Sequence, residues 1–182
     1  MRKSLFGIIL LIILICLIGI IWLSSFRINI LPPQTQKLPL KEKQAALSLF
    51  SERKEFKPGE EIKIQVILDS GGYKTNGVDV VLNFDPQYLK FEKLDYSESL
   101  FKTFPPYAVE KEKIRFSALS LPQESFEGRG KVATLFFKTL KKGETKISFD
   151  FQPHSTTDSN IALYGQGKDV LQKVNNLIIL IR

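Results

Sequence analysis

Residues 78–91 read Val78-Asp79-Val80-Val81-Leu82-Asn83-Phe84-Asp85-Pro86-Gln87-Tyr88-Leu89-Lys90-Phe91. The first half alternates: Val78, Val80, Leu82 and Phe84 point one way, and Asp79, Val81 and Asn83 point the other. A period of two is the signature of a strand with one buried face. Asp85-Pro86 ends it, because proline has no N–H for the ladder and pushes the residue before it out of helix. Tyr88, Leu89 and Phe91 then form a second short apolar run. The stretch predicts a core strand, a proline-pinned corner and a second strand returning to the same core.

The same pattern extends on both sides. Ala46–Phe50 makes a short strand. After the Pro58-Gly59 turn, Ile62, Ile64, Val66 and Leu68 alternate with Lys63, Gln65 and Ile67, and Gly71-Gly72 breaks that run. Further strands are expected at Lys113–Leu119, Gly130–Leu140, Thr145–Phe151 and Val174–Ile181. Turns rich in Gly, Pro, Asn or Asp separate them, with no long segment of helical period. Residues 45–182 are therefore expected to be all-β, a sandwich or jelly roll of about nine strands.

The N-terminus is different in kind. Leu5–Leu23 carries no charged residue, and as a helix it would span roughly 28 Å at about 1.5 Å per residue, close to a bilayer core. Arg2 and Lys3 precede it, and Trp22 stands at its far end, where indole rings favour the interface. The run is longer than the apolar region of a signal peptide, and no small-x-small cleavage site follows it. Cys16 follows Ile15 mid-run, unlike a lipoprotein cysteine, and the glutamate of a type IV pilin is missing. The expectation is an uncleaved signal anchor over 5–23, with a short cytoplasmic tail at 1–4. A Pro-containing stalk follows over 24–44, extended by Pro32, Pro33 and Pro39. Arg27, Lys37, Lys41 and Lys43 blunt the charge asymmetry that sets orientation. The β-rich remainder instead places residues 45–182 outside the cell, at the membrane.

Charge excludes one class of partner. The chain carries a net +7, but Arg2, Lys3, Arg27 and Lys37 supply four positive charges without an acid. Residues 38–54 add two more, through Lys41, Lys43, Arg53 and Lys54 against Glu42 and Glu52. Residues 55–182 are left at +1. A nucleic-acid binder keeps its basic excess on the folded domain; here it lies beside the apolar run, where anionic lipid headgroups are the simpler partner.

The catalytic inventory is sparse. His154 is the only histidine and Cys16 the only cysteine. A Ser–His or Cys–His nucleophile has at most one base and no usable thiol, and zinc would lack its usual ligands. Glu60-Glu61, Glu124 and Glu127 read as solvated charges. Asp158, Asn160 and Asp169 lack EF-hand spacing and read as turn residues. No catalytic residue, metal site or cofactor is expected.

Alternation also defines a candidate interface. With Val78, Val80, Leu82 and Phe84 inward, Asp79, Val81 and Asn83 face out. Ile114, Phe116 and Ala118 inward leave Arg115, Ser117 and Leu119 outside; Ala133, Leu135 and Phe137 inward leave Val132, Thr134 and Phe136 outside. Taken as one sheet face, these nine residues combine an apolar centre with polar anchors, the composition of a protein interface.

Several of these segments resemble one family. Phe84-Asp85-Pro86 followed by Leu89-x-Phe91 is similar to the corner of the cohesin domain, the β-sandwich receptor for dockerin modules on secreted enzymes. Lys57-Pro58-Gly59-Glu60 looks like its opening turn, and Gly130-Lys131-Val132-Ala133-Thr134-Leu135-Phe136-Phe137 like its Gly-x-hydrophobic-Ala strand. Thr157-Asp158-Ser159-Asn160 and the strand after Asn175-Asn176 look like its closing segment, so the resemblance covers about 135 residues. It implies a non-catalytic, membrane-anchored receptor or scaffold module that binds a dockerin-type protein through a sheet face, with calcium carried by the dockerin. Asp79, six residues before Asp85, holds the place of the family's dockerin-binding aspartate. The family's asparagine two residues earlier is replaced by Gly77, with Asn76 one step off. Two other functions remain open. Polysaccharide binding is one, since related carbohydrate-binding modules share the jelly roll, although Tyr73, Tyr88, Tyr96, Tyr107 and Tyr164 form no strip. A structural role in the envelope is the other.

Overall fold

The computed structural model of the chain describes residues 43–153, 155 and 157–182. The expected tail, anchor and all but the end of the stalk lie outside the described residues. Residues 41–182 form a compact unit of their own, and among the described residues its hydrophobic core runs from Ala45 to Ile181.

Twelve strands make two sheets packed face to face. They are β1 (Ala45–Phe50), β2 (Glu55–Phe56), β3 (Glu61–Asp69), β4 (Thr75–Asn83), β5 (Leu89–Asp95), β6 (Ala108–Glu110), β7 (Lys113–Leu119), β8 (Arg129–Thr139), β9 (Gly143–Phe149), β10 (Asn160–Leu163), β11 (Leu171–Asn175) and β12 (Leu177–Ile181). One sheet runs β11-β1-β3-β8-β5. The other runs β2-β12-β9-β4-β7-β6, with β10 added against β4. Pairing is antiparallel except for β1 with β11 and β12 with β2. The architecture is the all-β sandwich read from the sequence.

The strand count exceeds nine for physical reasons. β2, β6 and β10 have two, three and four residues, too few to write a periodic signal. The single strand expected at Val174–Ile181 is two strands in different sheets. The break falls at Asn176, whose side-chain oxygen accepts the Phe149 N–H at 2.9 Å and so joins the crossover to β9.

The 78–91 stretch crosses the sandwich. β4 lies in the seven-stranded sheet and β5 in the five-stranded one, and the corner between them is tied by its own aspartate. The Asp85 carboxylate accepts the Gln87 N–H at 2.8 Å, and the Asp85 carbonyl accepts the N–H groups of Tyr88 and Leu89. Phe84 and Phe91, on either side of the corner, both pack edge-on against Phe137, with ring centroids 5.3 and 5.5 Å apart. The alternating residues Val78, Val80 and Leu82 of β4 and Ile62, Ile64, Val66 and Leu68 of β3 are all buried in the one core. Each such side chain contributes roughly 1.5–3 kcal/mol of burial before chain entropy is set against it.

Candidate functional site

The nine expected interface residues do not share a face. β4 and β7 are hydrogen-bonded neighbours in the seven-stranded sheet, whereas β8 lies between β3 and β5 in the five-stranded sheet. Because the sheets bury their inner faces against each other, outward residues of β8 lie on the opposite side of the molecule from those of β4 and β7. Alternation tells in from out, but it does not tell which layer a strand joins.

Two residues are also not free. Val132 is fully buried. The β3–β8 register jumps from Val66 opposite Ala133 to Ile67 opposite Lys131, so Val132 is the extra residue of a β-bulge and turns inward beside Ala133. Val81 keeps the outward parity yet is only 4% exposed, because the chain after β9 closes over its strand. Val81 N–H donates to Ser159 Oγ at 3.0 Å, and Ser159 Oγ–H donates back to the Val81 carbonyl at 3.1 Å. That carbonyl also accepts the Asp150 N–H. Ser159 thereby fills the fork where β4 leaves β9, its neighbour at Leu82–Asn83, for β10 at Thr75–Asp79.

The outer face of the seven-stranded sheet gathers Asp79, Asn83, Arg115, Ser117 and Leu119. Asp79 lies opposite Ser117 in register, is exposed, and accepts a hydrogen bond from the Ser117 hydroxyl. On its other side Asp79 is opposite Asn160 of β10. Arg115 sits opposite Val81 and donates from Nη1 to the Thr157 carbonyl at 3.1 Å. Asn83 is opposite Lys113, whose Nζ pairs with Asp150 at 2.8 Å. The arginine and the lysine are thus engaged with the 150–159 segment, and the Asp79–Ser117 pair remains open.

Leu119 is 39% exposed and lies across Gly77. A Cβ built on Gly77 would stand 2.7 Å from Leu119 Cδ2, so the absence of a side chain at position 77 gives the leucine its seat. Leu121 and Tyr164 are also exposed at this end, and the Tyr164 hydroxyl donates to the Gln123 carbonyl at 3.2 Å. Leu121 could have been found in the sequence, since it continues the outward parity of Leu119. Ser159, Asn160 and Tyr164 could not, because a four-residue strand places them.

Thr134 and Phe136 occupy the other outer face. There Phe136 lies between Lys63 of β3 and Lys93 of β5, whose ammonium groups stand 5.7 and 4.4 Å from the ring centroid. Of the three residues read as turn residues, Asn160 opens β10, and Asp158 accepts the Gln152 N–H. Asp169 accepts the N–H groups of Ile161 at 3.0 Å and Leu171 at 2.9 Å. Among the described residues no three His, Cys, Asp or Glu side chains gather as a metal site.

This architecture is shared with solved structures. A non-cellulosomal cohesin from the hyperthermophilic archaeon Archaeoglobus fulgidus superposes with a TM-score of 0.60 at 18% identity, over 76% of this chain and 91% of that one. That is the cohesin fold. A type II cohesin domain from the cellulosome of Acetivibrio cellulolyticus gives 0.62 at 14% identity, over 76% and 98%. A type I cohesin–dockerin complex from Clostridium thermocellum gives 0.58 at 18%, over 75% and 99%. No family model matches this chain, and no curated protein matches it. At such identities the likeness establishes the cohesin fold and nothing finer.

Proposed function

We propose that the chain is a non-catalytic, membrane-anchored receptor or scaffold module that binds a dockerin-bearing protein. Its binding surface is the outer face of the seven-stranded sheet, centred on Asp79, Ser117 and Leu119. The observation that carries the reading is the open Asp79–Ser117 pair beside the exposed Leu119, on a fold whose solved neighbours include a cohesin–dockerin complex. A polar anchor beside an apolar surface is what a protein interface requires. The covered Val81 and the engaged Arg115 restrict contact to the half of the face nearer Leu119. Leu5–Leu23 supplies the anchor in this reading, residues 24–44 the stalk, and the partner brings any calcium.

The test is capture by residues 41–182 of secreted and surface proteins from the source cell, with calcium and with chelator, followed by identification of what is retained. Calcium-dependent retention of proteins bearing paired calcium-loop repeats, lost on Asp79→Ala, is the expected result. Retention of polysaccharide alone, or of no such protein, overturns the reading. Fractionation of the full chain tests the anchor: it should stay with membranes through a carbonate wash.

A further inference from the structure

The two outer faces of the sandwich differ in charge. On the five-stranded side the register places Lys63, Lys93, Lys138, Arg129 and Lys173 outward. Each of them is exposed, and none has an ion-pair partner within 4 Å among the described residues. Lys90 and Lys131 lie on the same face, paired with Glu92 and Glu98. The acids there, besides Glu92 and Glu98, are Glu61, Asp69 and Asp95, with Glu61 opposite Lys138 and Asp69 opposite Arg129 in register. Asp69 accepts the Gly71 N–H and Asp95 the Ser97 N–H, and Lys93 and Lys131 both act on the Asp95 carboxylate. Lysine and arginine on the seven-stranded face are fewer, and Lys113 and Arg115 are already engaged. The five-stranded face thus carries seven cations against five acids, whereas on the seven-stranded face Lys113, Arg115 and Lys146, the last unpaired among the described residues, stand with Asp79, Glu144 and Asp150.

That face is open and shallow. A groove of about 450 Å³ is lined by Phe50, Phe136 and Lys63 together with the acids Glu61, Asp95 and Glu98, among others, and Phe50 at its rim is 51% exposed. A second groove, of about 660 Å³, includes Gln44, Ala46, Asp69, Arg129 and Lys173. Sugar stacking is disfavoured, because two ammonium groups already stand over the Phe136 ring. A small buried anion is disfavoured as well, because the cations are exposed rather than enclosed. Scattered cations around an exposed aromatic suit a planar anionic surface with an apolar margin.

We propose that the outer face of the five-stranded sheet docks on anionic phospholipid headgroups, through Lys63, Lys93, Lys138, Arg129 and Lys173 with Phe50 at the margin. Docked this way, the domain turns the Asp79–Ser117–Leu119 face away from the bilayer. The sequence supplies the proximity: residues 24–42, at about 3 Å per extended residue, let the folded unit reach the membrane that Leu5–Leu23 is expected to span. Tethering raises the effective concentration, so weak headgroup contacts are enough to orient the domain. The proposal rests on the anchored reading and is independent of the dockerin reading.

The experiment uses residues 41–182 and sedimentation with vesicles of phosphatidylcholine alone or with one-third phosphatidylglycerol. Binding is expected only to the anionic vesicles, falling steeply as salt is raised. The variant Lys63→Glu/Lys93→Glu/Lys138→Glu should bind at least about tenfold more weakly, with an unchanged melting temperature. The control Lys146→Glu, on the other sheet, should bind as the parent does. The fragment has no cysteine, so an environment-sensitive dye can be placed singly at Gln65→Cys or Ser148→Cys. Only the dye at position 65 should respond to vesicles. Equal binding to neutral vesicles, no binding at low salt, a response at position 148, or binding to polygalacturonate in place of vesicles each overturns the proposal. Failure here leaves the capture of dockerin-bearing proteins unaffected, so the two readings fail separately.

Discussion

Asp79→Ala separates folding from partner binding. The carboxylate is exposed, and the Ser117 hydroxyl is the one side chain that donates to it among the described residues. Truncation removes one surface hydrogen bond, a cost of about 0.5–1.5 kcal/mol, which lowers the melting temperature of a domain this size by a few degrees. At an interface the same carboxylate is desolvated, and a hydrogen bond to a charged group is then worth about 1.5–3 kcal/mol. That corresponds to a roughly ten- to hundredfold rise in Kd. Titration calorimetry of residues 41–182 against the captured dockerin-type partner, with a thermal melt of each variant, measures both quantities. Asp79→Asn keeps the shape and removes the charge, and should fall between parent and alanine. Phe136→Ala is the decisive companion: it lies on the opposite outer face, so its Kd should stay within twofold of the parent. A partner lost on Phe136→Ala and retained on Asp79→Ala would refute the assignment of the face.

Leu82 is fully buried between the sheets, and Leu82→Ala should cost about 2–5 kcal/mol, read as a lower denaturation midpoint. Ser159→Ala leaves the Val81 N–H without its acceptor inside the fork, so a loss of about 1–3 kcal/mol is expected by chemical denaturation; an unchanged midpoint would show that the fork is filled another way. Tyr96 titrates with its pKa raised to about 12, first because burial disfavours the phenolate and then through repulsion from Tyr107. The unfolded chain loses this proton near pH 10, so the folded state holds more protons between pH 10 and 12 and stability falls across that window. The Tyr96 hydroxyl is buried with no hydrogen-bond partner among the described residues. Tyr96→Phe should therefore leave the melting temperature at pH 7 nearly unchanged and flatten this part of the alkaline decline.

The layers of this fold were legible wherever a strand was long enough to alternate. β3, β4, β7 and β8 wrote their inward residues into the sequence, and the Asp85-Pro86 corner marked where the chain changes sheets. Three things were not legible, for separate reasons. Layer membership is decided by hydrogen bonding to distant strands, so Phe136 and Asp79 looked like neighbours although a whole core separates them. A bulge adds one residue without changing composition, so Val132 read as outward. Coverage by a later segment is tertiary: Val81 has the right parity, but Ser159, 78 residues on, closes the strand beneath it. The candidate site shrank accordingly to the residues whose exposure needs no information beyond β4, β7 and their register.

What remains open on the seven-stranded face is graded along β7, and the grading bears on how a partner fits. At one end Leu119 lies over Gly77, with Leu121 and Tyr164 exposed beside the following turn. In the middle stand Asp79, Ser117 and Asn160. At the far end Arg115 and Lys113 are held by Thr157 and Asp150. A ligand that bound through charge alone would have to break those two contacts and replace each with one of its own, gaining little. A ligand that laid an apolar side chain against Leu119 and offered a donor to Asp79 would displace nothing, and would bury the surface where burial contributes most. Gly77 is central to that geometry. Any side chain there pushes Leu119 outward and moves the apolar contact away from the aspartate. Gly77→Asn should thus weaken the partner while leaving Asp79 in place, and a double variant with Leu119→Ala should lose no more than Leu119→Ala alone. Additive losses in that cycle would mean that glycine and leucine act on the partner separately.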